Sequence, residues 1–193
     1  MKTAARSMVL GAAFLLSGCA AYTAIDGAKP VTVGNNVSVT PQIAWAKATN
    51  PGVAGTQWTA DGIVLDNLMF FTGIAPGQPL VSVVGVDKKE VLKYRAGMVP
   101  DDVMELLASN IEKLGYRQIA TSNLRPAPFG SAEGFRFDLA CTTTEGLKVK
   151  GKAIAAQRSG KLDLVLFLAP DEYYFGHYSD KIESLFASIN TAK

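Results

Sequence analysis

The sequence is poor in the residues on which most site chemistry depends. Its 193 residues include two cysteines and one histidine. A zinc site needs several Cys, His or carboxylate ligands at close spacing, and no such spacing occurs here. His177 is the single histidine, so a Ser–His or Cys–His nucleophile would have to run through it, and no Gly-x-Ser-x-Gly elbow accompanies it. The expectation is therefore no catalytic residue, no metal, no cofactor and no enzyme activity. An excess of charge of one sign is missing as well. The formal net charge is +2, but Lys2 and Arg6 lie in a segment expected to be removed, which lowers the 19 basic residues to 17, equal to the 17 acidic ones. A neutral domain lacks the clustered basic face that nucleic acid asks for, so no nucleic-acid partner is expected. The N-terminal apolar run, Met8–Leu16, falls short of the roughly 20 residues that cross a hydrocarbon core of about 30 Å. What the chain does have is 48% hydrophobic and 19% charged residues, enough for one well-formed core.

Lys2 and Arg6 precede the apolar run, and the small residues Ser17-Gly18-Cys19-Ala20 follow it. This is the layout of a secretory signal peptide. Within it, Leu16-Ser17-Gly18-Cys19 resembles the lipobox of bacterial lipoproteins. The resemblance implies that residues 1–18 are cut away and that the Cys19 thiol receives a diacylglyceryl group, with further acylation of the new amino terminus. One acyl chain holds a protein marginally, whereas two or more anchor it stably at roughly 0.8 kcal/mol per buried CH₂. The expected partner is thus the membrane, through lipid on Cys19. Ala20, where an Asp is absent, implies a place on the outer membrane facing the periplasm. Residues 19–30, small and polar with Gly27 and Pro30, read as a lipidated tether, of which residues 20–30 reach at most about 35–40 Å. Residues 31–193 read as a single domain.

With Cys19 lipidated, Cys141 has no partner for an intramolecular disulfide. It lies in Gly134-Phe-Arg-Phe-Asp-Leu-Ala-Cys, where Phe135, Phe137, Leu139 and Cys141 alternate onto one strand face. A buried thiol acting as a small hydrophobe is expected there.

Two helices announce themselves. Pro100-Asp101-Asp102 opens a stripe of Val103, Leu106, Leu107, Asn110, Ile111 and Leu114 that Gly115 closes. A second helix is expected from Ser179, a good N-cap, with Ile182, Leu185, Phe186 and Ile189 inward. Between them lie four strand patterns, 116–124, 134–143, 147–157 and 162–168, with hairpin turns at Glu145-Gly146 and Arg158–Lys161. The last is apolar on both faces at its end, which places it in the middle of a sheet covered on both sides. Earlier, 31–33 and 36–45 read as β-type stretches, 63–73 as a buried strand and 80–86 as a short strand. The expected fold is α+β: a single antiparallel sheet, with one helix before and one helix after a four-strand meander and the helices packed on the sheet. The order of elements, Ala127-Pro-Phe-Gly followed by Gly134-Phe-Arg-Phe, the strand ending Phe167-Leu-Ala-Pro170 and the final Phe186-Ala-Ser-Ile resemble the PsbP/DcrB-type fold over residues 58–190. That resemblance implies binding or assembly roles outside the cytoplasm and no shared active site.

Three features tempt a functional reading. Gly146-Leu-Lys-Val-Lys-Gly-Lys-Ala153 nearly matches a P-loop, but Ala stands where Ser or Thr should hold Mg²⁺ and the pattern is that of a strand, so a phosphate cradle is rejected. The same residues place Lys148, Lys150 and Lys152 on one strand face, with Arg136 a candidate neighbour. This is either a solvated face or a surface for lipid phosphates. Tyr173, Tyr174, Phe175 and Tyr178 gather around His177, either closing the core or lining a ligand or partner surface. Gly73–Pro79 and Arg125–Gly134 are the loops expected to shape a groove. The reading that follows is a non-catalytic envelope lipoprotein that binds an envelope protein, a lipid or a glycan. A structural or assembly subunit of an envelope complex is the alternative, and a hydrolase using His177 or the carboxylates stands third.

Overall fold

A computed structural model describes residues 22–34, 37–48, 55–82 and 91–191. Cys19 and the signal segment lie outside the described residues, as does most of the strand expected over 80–86. Among the described residues, eleven strands and two helices follow in the order β1 (Tyr22–Ile25), β2 (Val31–Val33), β3 (Val37–Val39), β4 (Trp45–Ala48), β5 (Thr56–Thr59), β6 (Asn67–Ile74), α1 (Pro100–Glu112), β7 (Arg117–Phe129), β8 (Ala132–Thr142), β9 (Lys148–Arg158), β10 (Lys161–Pro170), α2 (Tyr174–Ala187) and β11 (Asn190–Thr191).

The meander β7–β10 is antiparallel throughout. Its β9–β10 turn, Ser159-Gly160, holds both residues at positive φ (50° and 74°), the geometry that matches the twist of the flanking strands. The expected single sheet is corrected in two ways. The meander is half of an eight-stranded sheet ordered β1-β4-β5-β6-β10-β9-β8-β7, and a second, three-stranded sheet runs β11-β3-β2. Six strands, not merely a helix, therefore precede the meander in the chain. Both faces of the large sheet are covered. On β10, Leu162, Leu164, Leu166 and Leu168 join the cluster that includes Val103, Leu106, Leu107 and Ile111 of α1. Val165, Phe167 and Ala169 point the other way, into a cluster with Ile182, Leu185 and Phe186 of α2 and Val33, Val37 and Val39 of the small sheet. Period-two alternation of large apolar residues on both sides makes β10 a central strand.

α1 begins as its sequence suggests. Pro100 occupies the first turn, Asp101 and Asp102 sit at the positive dipole end, and the buried stripe is Val103, Leu106, Leu107, Asn110 and Ile111. α2 does not. It starts at Tyr174, five residues before Ser179, with no side-chain cap. Burial outweighs capping here: Phe175 stacks on Phe167 with ring centroids 6.3 Å apart, and Tyr178 meets Phe167 edge-on and lies 5.9 Å from Trp45. Arg125–Gly134 is likewise a correction. It is strand, not loop: β7 continues through Pro126 and Pro128 to a two-residue turn at Gly130-Ser131. Proline is tolerated there because β7 is the edge of the sheet and a missing N–H faces no partner strand. A further correction falls on the expected tether. Tyr22–Ile25 is strand β1, paired in register with β4 from Tyr22↔Ala48 to Ile25↔Trp45.

Cys141 is buried in the α1 cluster. Burial pushes its thiol up to about 11, so it stays protonated at neutral pH.

Candidate functional site

The two surfaces that the sequence suggested separately come together in the fold. α2 packs across β9, bringing the lysine strand against the aromatic helix start. Lys152 Nζ donates to Ser179 Oγ (2.7 Å) and to Glu183 Oε1 (2.6 Å), and lies 5.8 Å from the Phe175 ring centroid. Ser179 thus serves as an acceptor inside the helix and not as its cap. Arg136, on the neighbouring β8, donates to the same Glu183 oxygen and sits 5.9 Å over Phe186. One carboxylate holds two half-buried cations, and the hydrogen bond from Arg136, followed by that from Lys152, brings Glu183 down to about 2 against the pull of burial. Lys150 pairs with Asp171 at 2.8 Å. Lys148 is exposed at the start of β9.

Of the three lysines, then, Lys152 belongs to the packing of α2 on the sheet, while Lys150 and Lys148 face outward. The aromatic group divides in the same way. Tyr178 is buried and donates its hydroxyl to Asp61 Oδ2. Burial first, then this carboxylate, holds its phenol above the usual tyrosine range. Tyr173 is 61% exposed and stacks on exposed His177 at 5.3 Å, with Tyr174 edge-on to it at 5.1 Å. The surface left to solvent is therefore Tyr173 and His177, with half-buried Tyr174 between them and the core, beside Lys150, Asp171 and Lys148. It combines flat aromatic faces with cations at its border, which is the chemistry of a binding surface. It holds no nucleophile positioned against a base, and among the described residues no group of three or more His, Cys, Asp or Glu side chains is placed to hold a metal ion.

Sequence reasoning missed the Asp61–Asp66 loop beside this surface. Asp66 is fully buried and accepts from Thr59 Oγ1 (2.9 Å), Ala60 N (2.6 Å) and Asp61 N (2.8 Å). Those donors hold the loop so that Asp61 meets Tyr178, although burial still raises the Asp66 carboxyl. The available signal was Asp61-Gly62, a turn pair before a strand. The groove expected from Arg125–Gly134 exists, but strand edges build it: Leu124, Pro126 and Phe135 with Pro100 and Gln157 line a cleft of about 450 Å³. Pro76 and Gly77 of the other expected loop line a second groove, with residues 91–96. The P-loop lookalike lies on the β8–β9 turn and β9 itself, with no helix to receive a phosphate.

The architecture is that of the PsbP-like fold. The solution structure of the cyanobacterial PsbP protein CyanoP from Synechocystis sp. PCC 6803 aligns with a TM-score of 0.50 and 13% identity, covering 95% of this chain and 99% of that one. The crystal structure of LpqN, involved in cell envelope biogenesis of Mycobacterium tuberculosis, aligns with a TM-score of 0.35 and 12% identity, covering 90% and 91% of the two chains. No protein-family model matches the chain. No curated protein matches it either.

Because Glu183 is held low by its cations, its contribution to stability is present above about pH 4.5, its ordinary value, and is lost as pH falls toward about 2. Glu183→Gln removes that dependence. We expect the wild-type melting temperature to drop more steeply than the variant's between those pH values in a thermal titration. Parallel curves would show that the ion pairs contribute nothing to the folded state.

Proposed function

We propose that this chain is an envelope lipoprotein held to the membrane by lipid on Cys19, with a non-catalytic domain that binds a partner or ligand. The binding surface is Tyr173, Tyr174 and His177 with Lys148 and Lys150. One observation supports the second half of this reading: Lys152 reaches Ser179 and Phe175 of α2 while Lys150 pairs with Asp171, which draws the lysine strand and the start of α2 together. Tyr173, His177, Lys148 and Lys150 are exposed, and Tyr174 is half-buried against the α2 cluster. Lys152, named with them from sequence, supports the surface from beneath. The anchor rests on Leu16-Ser17-Gly18-Cys19, and an outer-membrane place facing the periplasm rests on Ala20.

Two measurements test the two halves. Cys19→Ser should move the protein from the detergent phase to the aqueous phase. In denaturant, the membrane-extracted wild type should titrate one free thiol, Cys141, where an unmodified chain with its two cysteines titrates both. A Cys19→Ser protein that stays with detergent, or two thiols in the wild type, ends the lipoprotein reading. For the surface, crosslinking in intact membranes followed by pull-down should capture a partner that the double variant Tyr173→Ala/His177→Ala no longer captures. A saturable thermal shift with a lipid, glycan or peptide, lost in that variant, identifies a ligand instead. Capture or shift unchanged by the double variant removes the surface from the function.

A further inference from the structure

We infer that the outer edge of strand β1, with Tyr22, lies against the head groups of the bilayer, so that the domain is clamped to the membrane and does not float on a leash. The inference rests on the lipid anchor proposed above. Tyr22 is fixed in register opposite Ala48, and the chain from there to Cys19 crosses three peptide units. Consecutive Cα atoms lie 3.80 Å apart, so whatever its conformation the acylated residue is at most about 11 Å from Tyr22. A tether counted from residue 30 would reach about three times as far.

That distance leaves little choice of surface. β1 ends the eight-stranded sheet, and among the described residues no strand pairs with its outer edge. Tyr22 is 50% exposed, and Thr23 and Ala24 are exposed beside it. A half-exposed tyrosine suits the boundary between acyl chains and water, with its ring toward one and its hydroxyl toward the other. Lys47, opposite Thr23 on the adjoining strand β4, is exposed one strand in from the edge, where a cation reaches lipid phosphate on the Thr23 side of the sheet. The free N–H and C=O groups of a strand edge cannot enter hydrocarbon unpaired, whereas head groups and their water satisfy them. The contact is therefore at head-group depth and not an insertion. The opposite edge, β7, lies seven strand spacings away in the sheet order, up to about 34 Å at 4.8 Å per spacing. It faces away from the bilayer.

The test uses the full lipidated protein reconstituted in phosphatidylethanolamine/phosphatidylglycerol vesicles carrying a head-group nitroxide quencher. A fluorophore is attached at Thr23→Cys on β1 or, in a second protein, at Ser122→Cys on β7, both exposed positions. Lipidation is checked by mass. We expect several-fold stronger quenching at residue 23 than at residue 122. Ten Gly/Ser residues inserted between Ala21 and Tyr22 should bring the two close to equal. Equal, weak quenching in the native spacing, or no change on insertion, overturns the clamp while leaving the anchor intact. An unlipidated mass overturns the anchor and the clamp with it.

Discussion

Asn110→Ala will lower stability by roughly 3–5 kcal/mol, a loss of about 6–20 °C in melting temperature at 2–4 °C per kcal/mol for a chain of this size. The size of the effect comes from how completely this buried amide is used. Its Oδ1 accepts from Leu80 N (3.0 Å) and Val81 N (3.2 Å), and its Nδ2 donates to Leu92 O (2.9 Å) and Leu106 O (2.8 Å). Leu80 and Val81 are fully buried, so their N–H groups lose the acceptor they have among the described residues in a place where water does not replace it. Each orphaned buried donor costs about 1–3 kcal/mol. The same change should strip hydrogen-exchange protection from the amides of Leu80 and Val81 before the rest of the α1 cluster loses it. A thermal melt within about 1 kcal/mol of wild type would mean that the segment around Leu80 holds itself in place.

Asp163→Ala comes next, at about 3–5 kcal/mol. Asp163 closes the β9–β10 hairpin from inside the sheet. Its Oδ2 accepts from Arg158 Nε (2.9 Å) and Nη2 (2.8 Å), and its Oδ1 accepts from Gly73 N (2.7 Å). Side-chain exposure is 5% for Asp163 and 18% for Arg158, so removing the carboxylate leaves a desolvated cation with nothing to face. Arg158→Met/Asp163→Leu, which removes both charges, should recover most of the loss. It should not recover all of it, because Gly73 N still lacks an acceptor. Equal melting of the single and double variants would show that the charge pair is irrelevant and that the Gly73 bond alone carries the effect.

Both residues show what could be read in advance. Asn110 stood out as a polar member of an apolar stripe, but that it fastens a segment 30 residues earlier is a fact of packing. Asp163 alternates with leucines and gave no hint of its partner on β6. Lys148, Lys150 and Lys152 read correctly as one strand face, yet their different fates, one beneath α2 and two outward, depend on where α2 lies. The aromatic residues were legible as a cluster. Their arrangement was not, because Ser179 offered the stronger local start signal and the burial of Phe175 and Tyr178 against Phe167 and Trp45 outweighed it. Prolines 126 and 128 argued for a loop, and only the edge position of β7 makes them compatible with a strand.

By itself, the sequence determined the local periodicities and their stops: the α1 stripe with its Pro and Gly ends, the hairpin turn at Ser159-Gly160, the doubly apolar β10 and the buried Cys141. These depend on neighbours a few residues apart, where side-chain spacing and turn chemistry decide alone. Only the tertiary structure decided that Tyr22–Ile25 is strand and not tether, that Val31–Val33 and Val37–Val39 leave the main sheet to form a second one in which Val37–Val39 pairs with Asn190–Thr191, and that the lysine strand packs against the aromatic helix. Short segments such as these have too few residues to bury a face on their own. Their structure is settled by the partner edge that accepts their backbone hydrogen bonds, and that partner lies far away in the chain.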